Sequence, residues 1–162
     1  MEGAVYRKVK ISEEPQPPMR LLTVSKEGAY FHRLVEGGGA SPGEQSAATH
    51  LEPEKSFPSY PSATLGQFAP HGGRIAVIAD PTGLHIVDCK EGRELRLILK
   101  STPISALTIS PCDNFLVTCE KFVQGEKNLI VWDIASGKEI AQFEWKKGSK
   151  EGMRQNQLQD FG

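Results

Sequence analysis

The chain lacks the features that mark membrane-spanning, secreted and disulfide-bonded proteins. No segment approaches the roughly 18 consecutive apolar residues that a membrane-spanning helix needs. The N-terminus has no apolar signal-peptide core. The cysteines are odd in number and show no C-x-x-C spacing; they are Cys89, Cys112 and Cys119. These absences predict a soluble protein of a reduced, cytoplasmic compartment.

The chain also lacks an excess of either charge. Lys and Arg number 19 against 20 Asp and Glu, for a formal net charge of −1, so there is no general electrostatic attraction to nucleic acid. Basic residues cluster near both ends, at Arg7-Lys8-Lys10 and at Lys146-Lys147-Lys150. Two interpretations stay open for these clusters, namely solvated termini or a contact with RNA phosphate.

No catalytic pattern is present. The sequence His71-Gly72-Gly73 resembles an oxyanion loop, but no G-x-S-x-G accompanies it, and a turn is the better interpretation. The glycine-rich run 36–43 is not followed by the Gly-Lys-Ser/Thr of a phosphate loop. The histidines have no metal-binding spacing; they are His32, His50, His71 and His85. We therefore predict no enzyme activity, no catalytic residue, no cofactor, no cofactor-binding residue and no metal ligand.

What the chain does have is an internal repeat. Residues 83–95 and 128–140 correspond at an offset of 45, which pairs Leu84 with Leu129 and Asp88 with Asp133. This offset lies within the period of a WD-type propeller blade, about 40–45 residues. Upstream, Pro70 corresponds to Pro111 at an offset of 41, so the second copy carries a four-residue insertion, placed at 120–127. Each copy predicts strands joined by short turns, which must run antiparallel.

The length limits how much of a propeller is present. A closed ring needs about four to eight blades, and 162 residues at this offset give fewer than four. We predict an all-β, incomplete WD40-like β-propeller of about two to three antiparallel blades with disordered termini. We expect a truncated chain whose open strand edge makes it poorly soluble or dependent on a partner.

The predicted organisation has three parts. Residues 1–20 form a flexible N-terminal segment, 21–145 the partial propeller, and 146–162 a polar tail. Within the propeller, a Gly/Ser/Pro-rich insertion at about 35–62 is predicted to be a long loop or a disordered insertion. Before it, 21–24 and 29–34 predict two strands around a tight turn, in which Gly28 suits positive φ.

The stretch Val131-Trp132-Asp133-Ile134 resembles the Trp-Asp end of a WD40 repeat, although the Gly-His pair that opens such repeats is missing. The aromatic ring is expected between blades, and the acidic side chain is expected to cap the following turn. Together with 21–30, the turn at 110–118 and the loop at 120–127, this stretch resembles the N-terminal blades of the eukaryotic translation initiation factor 2A family. The b subunit of translation initiation factor 3 has a related propeller, but the RNA-recognition domain that precedes it is absent from this chain.

The resemblance implies a family role in translation initiation, with the small ribosomal subunit, initiator tRNA and other initiation factors as partners. It implies no RNA-contacting residue, because the matching positions are scaffold; the nucleic-acid-binding residues stay unknown. The alternative is a generic WD-repeat scaffold that mediates protein–protein interactions.

Overall fold

The computed structural model describes residues 19–35, 37 and 48–146. In this part of the chain every regular element is a strand. The strands, in chain order, are β1 (Arg20–Ser25), β2 (Gly28–Val35), β3 (His50–Pro53), β4 (Leu65–Phe68), β5 (Ile75–Asp80), β6 (Gly83–Asp88), β7 (Arg93–Leu99), β8 (Ile104–Ile109), β9 (Phe115–Glu120), β10 (Leu129–Asp133) and β11 (Glu139–Phe143).

The strands form three antiparallel sheets, each following chain order. The first sheet contains β1–β3, the second β4–β7 and the third β8–β11. The opening strand of the second sheet, β4, contacts the opening strands of both neighbours, β1 and β8. The predicted all-β fold of two to three antiparallel blades is thus confirmed, with three sheets and no closed ring among the described residues.

The second sheet is buried on both faces because its side chains alternate between two neighbours. On β5, Ala76 and Ile78 pack toward the first sheet, whereas Val77 and Ala79 pack toward the third. On β6, Val87 packs toward the first sheet, and Leu84 and Ile86 toward the third, at 0% and 1% exposure respectively. Continuous apolar runs of this kind are typical of strands with both faces covered.

The third sheet is buried on one face only. Leu116, Ile130 and Trp132 pack against the second sheet, whereas Val117 and Val131, on the opposite face, are half-buried. The apolar run 129–134 alternates only imperfectly in the sequence, a pattern that predicts burial on both faces. That prediction is wrong for β10, since no sheet among the described residues covers its second face. Its repeat partner β6 does have both faces covered.

The first sheet begins with the predicted hairpin, in which Gly28 has φ of +114°. A Cβ there would collide with the backbone at Tyr60 and Pro61, so glycine is required. The long loop predicted at 35–62 is wrong in part. Within it β3 pairs with β2, and Tyr60 bridges Ala29. A strand of four residues is too short to show an alternating pattern in the sequence, and its place is set by pairing with a distant strand.

The flexible segment is predicted at 1–20 and the polar tail at 146–162. Residues 1–18 and 147–162 lie outside the described residues, as do residues 36 and 38–47 of the insertion, whereas Arg20 already begins β1. The described residues include no helix that is long and apolar enough to cross a membrane.

Candidate functional site

The acidic residues of the repeat cap equivalent turns. Asp88 Oδ1 accepts the backbone N–H groups of Lys90 and Glu91 at 2.8 and 3.1 Å. At the corresponding place in the third sheet, Asp133 Oδ2 accepts the N–H of Ser136 at 2.8 Å. The predicted capping role is confirmed, and these hydrogen bonds lower the pKa of both carboxyl groups.

A polar cluster of Tyr60, Asp80, His85 and Glu94 fastens the first sheet to the second; we call it the histidine cluster. His85 Nδ1 lies 2.7 Å from Glu94 Oε2, and Nε2 makes an ion-pair contact of 2.9 Å with Asp80 Oδ2. The Tyr60 hydroxyl donates to the same Glu94 oxygen at 3.0 Å, and its ring lies 4.7 Å from the imidazole. The cluster connects three strands and the loop before β4.

The histidine cluster sets His85 between two carboxyl groups. One ring nitrogen faces Asp80 and the other faces Glu94. Burial, the largest single effect, raises the pKa of Asp80. The hydrogen bonds from the Thr82 N–H, from His85 and from the Gly83 N–H together outweigh burial, so the pKa is lowered on balance. Burial, and then the hydrogen bond to Glu94, raises the pKa of Tyr60. The histidine cluster therefore keeps the Asp80 carboxyl group in its charged form.

A second polar cluster fastens the second sheet to the third; we call it the tryptophan cluster. Lys100 Nζ forms an ion pair with Glu120 Oε1 and lies 5.4 Å from the centre of the Trp132 ring. Trp132 Nε1 donates to Thr118 Oγ1 at 2.9 Å, and both side chains are buried. The prediction that this tryptophan fills the space between blades is confirmed.

Accessible apolar surface lies at the two ends of the stack and, through Leu95, Leu97 and Leu99, along β7. The outer face of the third sheet is defined by Phe115, Val117, Leu129, Val131, Ala141 and Phe143, which share a side through their cross-strand partners. The outer face of the first sheet is defined by Leu21, Tyr30, Leu34 and Leu51. Asp133, the cross-strand partner of Phe115, and His32, the partner of Leu21, lie at these faces as well, and Asp133 is held by its turn-capping hydrogen bond. Because the rest of each defining set is apolar, these two faces are the candidate binding surfaces of the molecule.

The predicted candidate residues take structural places. His71 lies in the exposed β4–β5 turn, and its N–H donates to Asp113 in the corresponding turn of the third sheet at 3.0 Å. His32 and His50 lie on the first sheet, whereas His85 is buried. Among the described residues, no group of three or more His, Cys, Asp and Glu side chains is placed to hold a metal ion.

Sequence reasoning missed the partners within both clusters. Tyr60 and Glu94 are 34 positions apart, and Lys100 and Glu120 are 20 positions apart. Residues that meet across sheets are far apart in the sequence, so no short motif relates them. The one usable signal was a charged residue ending an apolar strand, as Glu120 ends β9.

Comparison with known proteins finds similarity among solved structures. No family model matches the chain, and no curated protein sequence matches it. A solved structure described as "Crystal structure of the eukaryotic initiation factor" is similar in fold, with a TM-score of 0.62 and 19% sequence identity. The match covers 85% of this chain and 32% of that one, so this chain spans about a third of the length of the protein that it resembles. At this identity the likeness shows a shared fold: three successive sheets built like part of an initiation factor.

Proposed function

We propose that this chain acts in translation initiation, as part of an initiation factor. The observation that carries the proposal is the fold similarity over 85% of the chain to a structure described as an initiation factor. The sequence resemblance at 21–30, 110–118 and 128–133 points the same way independently. The more specific proposal is a role in binding the small ribosomal subunit and initiator tRNA while the initiation complex assembles, in the cytoplasm and without catalysis.

The balanced charge of the chain shapes the test. With a net charge of −1, unspecific attraction to RNA is weak, so binding should discriminate between RNAs. We expect the tagged chain, crosslinked in cell extract, to sediment with small ribosomal subunits. We also expect it to retain initiator tRNA at least about tenfold better than elongator tRNA, a difference of about 1.4 kcal/mol.

A matched variant separates RNA contact from scaffolding. Replacing Arg7, Lys8 and Lys10 by alanine removes a basic cluster without touching the described strands. If that cluster contacts phosphate, the variant loses tRNA affinity and its binding becomes less sensitive to salt. Absence of the wild-type chain from small-subunit fractions, together with equal retention of both tRNAs, would refute the specific proposal.

The alternative function, a scaffold for protein partners, is favoured by the two apolar outer faces. Under this alternative, Val131→Lys on the outer face of the third sheet abolishes partner binding, whereas changes in the basic cluster have no effect. The two variants therefore distinguish the two functions in one set of sedimentation experiments.

A further inference from the structure

The outer face of the third sheet repeats a face that is covered elsewhere in the molecule. By the repeat offset, Leu129 corresponds to Leu84 and Val131 to Ile86. Leu84 and Ile86 are buried by the third sheet, at 0% and 1% exposure. The equivalent residues on β10 are only half-buried. The third sheet thus presents the surface that the second sheet uses to bind its neighbour.

The outer face of the first sheet is the complementary surface. The first sheet covers the second with its opposite side, through Leu22, Ala29 and Phe31. Its outer face, the one that a preceding sheet of the stack would cover, carries Leu21 and Leu34 half-buried and Leu51 at 44% exposure. Continuing the stack by one step therefore places the first sheet of a second molecule on the third sheet of the first.

We propose that this chain associates with itself head to tail, the outer face of the third sheet binding the outer face of the first sheet of a second copy. The contact is built mainly from apolar packing. The charged residue at the edge of the third sheet's face, Asp133, is bonded to the N–H of Ser136, and its repeat partner Asp88 stands at the same place beside the covered face of β6. A contact of this heterologous kind forms a ring if its rotation closes and a filament if it does not. Two copies contain six sheets, within the range of about four to eight found in closed propellers.

The size of the face predicts a reversible contact. Four strands about 4.8 Å apart and about five residues long at 3.3 Å per residue define a face of roughly 300 Å². The first sheet has three strands and a face of roughly 240 Å². One head-to-tail contact therefore covers roughly 550 Å², which is below the about 1,200–2,000 Å² of stable interfaces, and the two contacts of a closed pair come close to the lower end of that range. Association should therefore depend on concentration in the micromolar range.

The test compares four chains by light scattering coupled to size-exclusion chromatography, over about 1–200 µM protein. Wild type should exceed the monomer mass increasingly with concentration. Val131→Lys and Leu51→Lys should each weaken association at least about tenfold. Leu99→Lys changes a residue at 73% exposure on neither face and should associate as wild type does. Circular dichroism and thermal unfolding at the lowest concentration establish that each variant is folded.

Mixing the variants tests the geometry. The Val131→Lys chain keeps a wild-type first sheet, and the Leu51→Lys chain keeps a wild-type third sheet, so an equimolar mixture should form one contact and recover a heterodimer. Alkylation gives a second readout. Cys119 pairs with Leu129 at the edge of the third sheet's outer face, and its modification should slow several-fold as wild type is concentrated, relative to the exposed Cys112.

Three results would overturn the proposal. The first is a wild-type chain that stays monomeric over the whole range. The second is a Leu51→Lys chain that associates like wild type, because the third sheets would then be meeting face to face. The third is loss of association in Leu99→Lys, which would indicate unspecific hydrophobic aggregation. Each is independent of whether the chain binds ribosomal subunits.

Discussion

β6 of the second sheet and β10 of the third carry the same repeat in different surroundings. Toward the preceding sheet, both strands bury their side chains: Val87 is fully buried and Trp132 is 6% exposed. Toward the following sheet, Leu84 is fully buried and Leu129 is half-buried. The repeat therefore encodes which side of a strand faces a neighbouring sheet. The repeat does not encode whether a neighbouring sheet is present on that side.

The largest test of this comparison is a matched pair of truncations. Leu84→Ala leaves a cavity between the second and third sheets and should cost about 2–5 kcal/mol of unfolding free energy. Leu129→Ala, at the same position of the repeat, should cost about 1 kcal/mol or less, because solvent already reaches the site. Urea unfolding monitored by circular dichroism at low protein concentration measures both. Equal costs would mean that the outer face of the third sheet is covered in solution.

The tryptophan cluster provides the next test, on the interface between the second and third sheets. Trp132→Phe keeps an aromatic ring but removes the indole N–H, leaving the buried Thr118 hydroxyl without its donor. The expected cost is about 1–3 kcal/mol. In the Thr118→Val background the same change should cost less, since the partner is already gone. Additive costs in a double-mutant cycle of unfolding free energies would show that this hydrogen bond contributes nothing.

The histidine cluster adds a response to acid through Asp80, whose hydrogen bonds hold the β5–β6 turn and His85. The pKa of Asp80 is lower folded than unfolded, so its contribution to stability is complete above the unfolded value near 3.9 and is lost as pH falls through the lower folded value. Asp80→Asn should reduce stability at pH 7 and flatten its fall between about pH 5 and 2. An unchanged acid slope, measured by urea unfolding at several pH values, would contradict this.

The smallest effects concern the three thiols. Their rates of alkylation report how well the surrounding sheets cover each cysteine, without a substitution in the chain. Burial raises the pKa of Cys89 to about 11, so it should react only on unfolding. Cys112 is exposed, and its hydrogen bond with Ser110 lowers its pKa, so it should react first. Cys119 should fall between them. Mass spectrometry after timed iodoacetamide treatment gives the order, and rapid labelling of Cys89 in the folded protein would show that the first and second sheets separate.

Sequence reasoning succeeded where local pattern and repeat agree. The hairpin around Gly28 and the acid-capped turn at Asp133 were predicted because a turn requires particular residues at particular positions, and the structure shows the same cap at Asp88 in the other copy of the repeat. It failed for β3, which has four residues and whose only support is pairing with β2. It also failed for the polar clusters, whose members meet across sheets.

The sequence by itself determined the all-β fold, the antiparallel order of strands within each blade and the sides on which apolar residues lie. These follow from alternation and turn chemistry, which act over a few residues. Only the tertiary structure decided that the second sheet is enclosed, that the third has an uncovered face, and that His85 lies between two carboxylates. Burial and electrostatics depend on which distant segments meet, and a side chain's position in a repeat is the same whether or not a neighbour arrives.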